Sequence, residues 1–305
     1  MIDLSGLTSG GYGDDRPIPR ILHTRCQLNY YRCEFENGAQ CIFLSSHTYP
    51  ELFNLRFPLI FNLNPKGWLQ KPDRTYQKYL YIPPGKLDNS SAKQIDSWGD
   101  RFRTYVLLGF NSNIEKFFRD KLDFCLAISF NKPEPGAKRT DIGEAVYQLK
   151  YQSHLLSSDN RRMYARILLN GILQGFDDLP LPTYDVLVSG IPSSYDGKNK
   201  IAWKIAEATA RDRDCEFLSA TLKCSKRSLK GLLIGEKAAE WKKLFGTDGC
   251  IELSQDPSGR TIVVVDDLYQ SGITMWHYAN YLKLKGARHV IGISCVKSLK
   301  DTDNL

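Results

Sequence analysis

Thirteen residues, Ile262-Val263-Val264-Val265-Asp266-Asp267-Leu268-Tyr269-Gln270-Ser271-Gly272-Ile273-Thr274, decide how this chain folds and where its chemistry sits. A short apolar run ends abruptly in two adjacent carboxylates. A hydroxyl-bearing, glycine-containing turn follows, and a helical pattern starts at about Thr274. Val263 to Val265 are β-branched with no polar face, so Ile262 to Val265 reads as a strand buried on both sides, as in a parallel sheet. Such sheets bind ligands beyond the carboxyl ends of their strands, and Asp266 and Asp267 are expected at that edge. Two neighbouring carboxylates can accept hydrogen bonds from the vicinal hydroxyls of a sugar and can attract a hard cation such as Mg2+, directly or through water. Tyr269, Gln270, Ser271, Gly272, Ile273 and Thr274 would then wrap an anion. Gly272 allows close backbone approach, Ser271 and Thr274 offer hydroxyls, and the following helix points its N-terminus at the charge. An aspartate pair after a strand ordinarily only starts a turn and caps a helix; here the order of the whole string points to a sugar phosphate.

Outward from this string, strands and helices alternate. Helices are expected over about 141–151 and 159–174, the second with Met163, Ile167, Leu168 and Ile172 on one face. Then come a strand from Tyr184 to Ser189, a helix over about 199–211, a strand from Glu216 to Leu222 and a helix from Leu232 to Phe245. After the 262–265 strand follow a helix from Thr274 to Lys285 and a strand from His289 to Val296. This spacing predicts an α/β fold, a doubly wound parallel sheet. Gly190, Ile191, Pro192, Ser193 and Ser194 form a strand-to-helix loop whose amides and hydroxyls can donate to phosphate oxygens, with Lys198 and Lys200 adding charge. Loops of this kind are often mere connectors. The segment 223–230 carries four basic residues in eight, including Lys226 and Arg227. It can act as a mobile cationic lid, or simply as a solvated or nucleic-acid-facing loop.

Ahead of the alternation, residues 1–20 are rich in Gly, Asp, Ser and Pro and read as a flexible arm. Tyr30 to Phe35, Ala39 to Leu44, Tyr105 to Phe110 and Phe124 to Phe130 read as strands, while Pro65 to Gly99 is polar and irregular. Asn131 to Lys138 reads as a linker. The expected division is an arm (1–20), a β-rich accessory domain (21–135) and the α/β domain (136–305).

The 305 residues are 42% hydrophobic and 25% charged, a globular composition. No stretch approaches the roughly 20 apolar residues of a membrane helix. The N-terminus lacks a basic region followed by an apolar core, so no secretory leader is expected. The eight cysteines are scattered singly without a CxxC, which fits a reducing cytosol better than a disulfide framework, and a cytoplasmic location is expected. His23, Cys26, Cys33, Cys41 and His47 lack the tight pairs of a zinc site and read as buried strand thiols with stray histidines. The net charge is +7, and Lys198 to Lys243 carries +6 of it, with twelve Lys/Arg against six Asp/Glu. Such a segment suits a polyphosphate ligand; a solvated helix face is the ordinary alternative.

The 262–274 string resembles the motif by which type I phosphoribosyltransferases bind phosphoribosyl pyrophosphate (PRPP). It departs from the commonest pattern where Gln270 and Ser271 replace two threonines and bulky Ile273 follows Gly272. From about Gly143 to Lys297 the order of features is similar to the ComF family of phosphoribosyltransferase-like proteins. Tyr147-Gln148-Leu149-Lys150-Tyr151 resembles that family's lysine-tyrosine helix, Val186 to Pro192 its pyrophosphate strand and loop, and Leu222 to Gly231 its basic loop. Its cysteine-rich N-terminal zinc module has no match in residues 1–130. The resemblance implies Mg2+-assisted transfer of ribose 5-phosphate from PRPP to a nitrogenous base or nucleotide, with release of pyrophosphate. Asp266 and Asp267 would hold the ribose and the metal, and 269–274 the 5′-phosphate. Gly190 to Ser194 with Lys198 would hold pyrophosphate, and Lys226 and Arg227 would neutralise it as it leaves. Two other readings stay open on the same fold: a PRPP or nucleotide sensor without catalysis, and a protein that handles single-stranded nucleic acid. A homodimer is also open. Tyr147, Tyr151 and Trp276 could stack on a base, though core packing is their ordinary role.

Overall fold

The computed structural model describes residues 25–26, 30–44, 48–71, 74–108, 121–179, 181, 185–194, 200–227, 229 and 231–299. In chain order the elements are β1 (Arg25–Cys26), β2 (Tyr30–Glu34), β3 (Gln40–Leu44), α1 (Thr48–Arg56), α2 (Pro58–Phe61), β4 (Leu69–Lys71), β5 (Arg74–Ile82), α3 (Asn89–Phe102), β6 (Val106–Leu108) and β7 (Phe124–Phe130). Then come α4 (Asp141–Tyr151), α5 (Ser158–Asp178), β8 (Val186–Gly190), β9 (Ser193–Ser194), α6 (Ile201–Asp212), β10 (Glu216–Phe217), β11 (Ala220–Leu222) and α7 (Ile234–Gly246). The last elements are β12 (Ile251–Leu253), β13 (Thr261–Tyr269), α8 (Ile273–Leu284) and β14 (His289–Lys297).

β13 lies inside a sheet ordered β1-β6-β7-β14-β13-β8-β10. β7, β14, β13, β8 and β10 run parallel, while β6 is antiparallel to β7 and β1 antiparallel to β6. Alternation of side chains sends Val263 and Val265 to one face, into a cluster with Ala145 and Val146 of α4, Leu168 and Ile172 of α5 and Ile205 of α6. Ile262 and Val264 point to the other face, against Met275, Tyr278, Ala279 and Leu282 of α8. All four β13 side chains are fully buried. A strand sheathed on both faces has no polar face to show, which is why this run read as central. The α/β fold with a parallel-dominated sheet is as expected. No helix among the described residues is long and apolar enough to cross a membrane.

The first half of the chain holds an antiparallel sheet ordered β2-β3-β5-β4. Helix α3 covers it, burying Ala92, Ile95, Trp98 and Phe102, a three-and-four spacing hidden among polar residues. Asp88 caps the helix by accepting from the Ser91 N–H at 2.9 Å and the Ser91 hydroxyl at 2.8 Å. The stretch from Pro65 to Gly99, expected to be irregular, is thus largely β5 and α3.

The boundary expected at 135 falls within one architecture. β7 pairs along its length with β14, so β1, β6 and β7 complete the same sheet as β8 and β13. One apolar cluster runs from Ile42, Ile82 and Trp98 through Leu126 to Val263 and Ile293. The expected linker is a β-to-α connection: the Asn131 N–H donates to the Lys297 carbonyl at 2.8 Å, and Thr140 caps α4. The single strand expected over Glu216 to Leu222 is two strands. β10 pairs with β8, and β11 crosses into a three-stranded sheet ordered β12-β11-β9. Tyr184, Gly109 and Phe110, at the ends of expected strands, lie outside the described residues, as do residues 1–20.

A buried carboxylate ties the two halves together. Asp178, 2% exposed at the end of α5, accepts from Nε and Nη2 of Arg101 of α3, at 2.7 and 2.6 Å, and from the Tyr105 hydroxyl at 2.8 Å. Burial, then the charge of Asp178, raises the Tyr105 pKa. Truncation would leave a buried tyrosine hydroxyl and a largely covered guanidinium without this partner. Asp178→Ala is expected to cost about 2–4 kcal/mol in urea unfolding while the transition stays single; a loss below about 0.5 kcal/mol, or two separated transitions, would contradict a shared core.

Candidate functional site

β13 does not stop where its apolar run stops. It continues through both carboxylates to Tyr269, with Asp266 in register with Ser294 and Leu268 with Val296. Asp267 has the parity of Val263 and Val265, and so emerges on the α4 side. There Lys150 Nζ meets its Oδ2 at 2.6 Å, with the Asp267 side chain only 13% exposed. Burial works to lower the Lys150 pKa, but the charge and hydrogen bond of Asp267, helped by Asp266, outweigh it and raise the pKa. Asp266 Oδ1 accepts the Asp267 N–H at 2.8 Å. Asp266 retains some surface, yet the protein packed around its carboxyl desolvates it strongly. That burial, together with the Asp267 charge, pushes its pKa up to about 8, against the opposing pull of Lys150. Two acids and one lysine thus share the carboxyl edge of the central strand, with one acid frustrated.

The turn after β13 is built partly inward. Tyr269 is buried, and Trp276 Nε1 donates to its hydroxyl at 2.6 Å. Gly272 opens α8 with φ +82°, a conformation that disfavours side chains, and a Cβ there would collide with the Tyr269 ring and the Trp276 indole. Ile273 is buried beside Trp241 and Ile251. Of the six residues expected to wrap the 5′-phosphate, Tyr269 and Ile273 therefore turn their side chains into the core and keep only backbone for a ligand. Gln270 is exposed, Thr274 half-buried and Ser271 nearly buried. Trp276 is a core residue, not an open platform. Arg139 covers Tyr147, its guanidinium 3.7 Å from the ring centroid, while Tyr151 stays exposed.

Two residues absent from the expected site list stand out. Lys150 lies in the lysine-tyrosine helix, but without the fold nothing assigns it to Asp267. Lys297, fully buried at the end of β14, donates to the Gln270 carbonyl at 2.6 Å, while the Ser298 N–H donates to the Tyr269 carbonyl at 2.9 Å. A peptide carbonyl and the next N–H point in opposite directions, so this bond turns the Ser271 N–H away from Lys297. A lysine closing the apolar run from Val290 to Val296 was the available signal.

The second candidate loop starts where β8 ends. Gly190 packs against the backbone of α6; a Cβ would come within 3.0 Å of Trp203 Cα. The Ile191 N–H donates to the Val265 carbonyl at 3.1 Å, which sets this loop beside the carboxylates. Ser193 and Ser194 form β9, parallel to β11; their side chains, and Lys198, lie outside the described residues. Lys226 rests 4.6 Å from the Trp241 ring centroid. Lys226 is exposed to solvent, yet the protein around its ammonium, then the charge of Lys200, lowers its pKa, against the opposing pull of Glu240 and Asp266. Arg227 is exposed, and its N–H donates to Glu240 at 3.1 Å. The cysteine expectation needs correction: Cys224 and Cys250 are disulfide-bonded, with Cα atoms 5.1 Å apart. They are 26 residues apart in sequence and meet only because β11 and β12 pair.

Asp266 and Asp267 offer hard oxygen ligands, but no group of three His, Cys, Asp or Glu that could hold an ion occurs among the described residues. A hard cation at this pair would have to complete its coordination with water or ligand oxygens.

No protein-family model and no curated protein sequence matches the chain. Solved structures do. Phosphoribosylpyrophosphate synthetase from Mycobacterium smegmatis is 19% identical over 44% of this chain and 33% of that one, with a TM-score of 0.27. Purine phosphoribosyltransferase from Pyrococcus horikoshii is 15% identical over 48% of this chain and 87% of that one, with a TM-score of 0.28. An adenine phosphoribosyltransferase is 14% identical over 43% and 70%, with a TM-score of 0.28. The chain spans about a third of the length of the mycobacterial synthetase.

The raised Asp266 has a measurable consequence. The unfolded chain gives up this proton near 3.8 and the folded one near 8, so between those values the folded state holds more proton and stability falls as pH rises. Asp266→Asn is expected to raise the Tm at pH 8, with the gain shrinking towards pH 4.5. A variant less stable than wild type at pH 8, or a gain independent of pH, would refute this.

Proposed function

We propose that the chain binds PRPP with Mg2+ across the carboxyl edge of the large sheet and transfers its ribose 5-phosphate to a nitrogenous acceptor, releasing pyrophosphate. The observation that carries this reading is the Lys150–Asp267–Asp266 cluster at the end of a doubly buried strand, followed at once by the Gly272 turn into α8. A vicinal diol needs clustered acceptors, and a phosphate needs a helix N-terminus with outward N–H groups. Both stand four to eight residues apart here in the order a ribose 5-phosphate requires.

In this reading Asp267, fixed by Lys150, and Asp266 hold the ribose hydroxyls. The backbone of 271–274 and the Thr274 hydroxyl hold the 5′-phosphate. The pyrophosphate lies against the loop from Gly190 to Ser194, with Lys198 and the basic pair Lys226 and Arg227 supplying charge. Mg2+, held by Asp266 and Asp267 with PRPP oxygens, would neutralise phosphate charge. The C1–oxygen bond to pyrophosphate lengthens, its electron pair leaving with the pyrophosphate. The acceptor nitrogen then donates its lone pair to C1 and loses its proton to solvent. The carboxylates stabilise the positive charge that develops on the ribose, and the cationic loop stabilises the leaving group.

Incubation with PRPP, Mg2+ and a panel of purine, pyrimidine and pyridine bases is expected to release pyrophosphate with at least one base. The Asp266→Asn/Asp267→Asn variant should lose about 100-fold or more of that rate. Release undiminished in the double variant would sink the site assignment. Saturable PRPP binding with no release across the panel would assign the chain to sensing instead of catalysis.

A further inference from the structure

We propose that Cys224 and Cys250 form a redox latch that sets how tightly the basic loop engages the pyrophosphate end of the site. The inference rests on the PRPP reading for its ligand, but its geometry stands apart. β11 and β12 pair antiparallel out to Leu222 opposite Ile251, and the Lys223 N–H donates to the Cys250 carbonyl at 2.8 Å. The disulfide lies just past that last rung and closes a ring that contains the basic loop and all of α7. On its other side β11 pairs with β9, the Ser193–Ser194 strand of the candidate pyrophosphate loop. The root of the lid and the phosphate loop therefore share one small sheet.

The same bond lies in an apolar cluster that reaches the 5′-phosphate turn. Cys250, Leu222, Trp241, Leu244, Ile251 and Ile273 pack together, with Cys224 against them. Lys226 rests on the Trp241 ring, and Ile273 follows Gly272 directly. This explains the bulky residue at 273: it plugs the cluster beneath the lid. Oxidised, the chain from 224 leaves the cluster at a fixed point, with Lys226 held on the Trp241 ring and β11 held beside β9. Reduced, the loop keeps its sequence but loses this anchor, and a ligand must order it on binding.

The chemistry balances as thiol–disulfide exchange. Cys250 is fully buried and Cys224 half-buried, so an external dithiol attacks the Cys224 sulfur as its thiolate. A mixed disulfide forms, and the electron pair of the old bond leaves on the Cys250 sulfur, which takes up a proton. The second thiol of the dithiol then displaces the Cys224 thiol and departs as an oxidised cyclic disulfide. A small-molecule disulfide reverses the sequence.

The test titrates Mg2+–pyrophosphate and Mg2+–PRPP into the full chain, oxidised by glutathione disulfide or reduced by dithiothreitol, with Cys224→Ser/Cys250→Ser as a control for the remaining thiols. The oxidised protein is expected to bind roughly tenfold more tightly than the reduced one. The double variant should match the reduced protein and ignore the reagent. Limited trypsin cleavage after Lys226 and Arg227 should also be faster in the reduced form. Equal affinities in the two states, or a cleavage rate indifferent to redox state, would overturn the latch. Redox-dependent cleavage without binding of either ligand would uphold the tether, overturn its link to pyrophosphate, and count against the PRPP reading itself.

Discussion

Everything at the carboxyl edge depends on holding two adjacent carboxylates at the end of a strand that the protein buries on both faces. Asp267 is made tolerable by Lys150, an ion pair built across from α4. Asp266 has no such lysine of its own among the described residues and sits beside a like charge with its solvation removed, which is why its pKa rises. A chain selected only for stability would put a neutral side chain here. Frustration of this kind, next to a basic loop, is a physical reason to look for a ligand at this edge.

The rest of the structure keeps that edge in place. α4 positions Lys150 because Thr140 caps it and Gly143 lets its first turn approach Asn131, where any Cβ would strike the backbone. β14 carries Lys297 under the Gln270 carbonyl, α8 packs Tyr278 so that its hydroxyl meets Ser189 at 2.8 Å, and Gly190 lets α6 close on β8. The first half of the chain supplies the far side of the same sheet through β7 and β6, clamped to α5 by Asp178. Its antiparallel sheet is thus an extension of one core.

Local pattern made the centre of the molecule legible and left its edges dark. The run from Ile262 to Val265 announced a doubly buried strand because nothing polar interrupts it, and the acids after it marked where that run reaches the carboxyl edge of the sheet. α3 was hidden because buried Ser91 and Gly99, set beside its apolar residues, blur the helical period. Pro133, Pro135 and Gly136 mark a connection equally well whether it joins two domains or a strand to its next helix, so the sequence alone does not show that β7 pairs with β14 across it. Lys150 pairing with Asp267 across more than a hundred residues, and Cys224 with Cys250, are products of topology, which no short-range period encodes. The inward turn of Tyr269 and Ile273 was missed for the same reason: their partners come from α8 and α7.

Calorimetric titration of Mg2+–PRPP into the wild-type chain at pH 7 tests the central claim most directly. A single saturable site that disappears in Asp266→Asn/Asp267→Asn is the predicted result. No binding heat and no thermal stabilisation of the wild type by Mg2+–PRPP would contradict it.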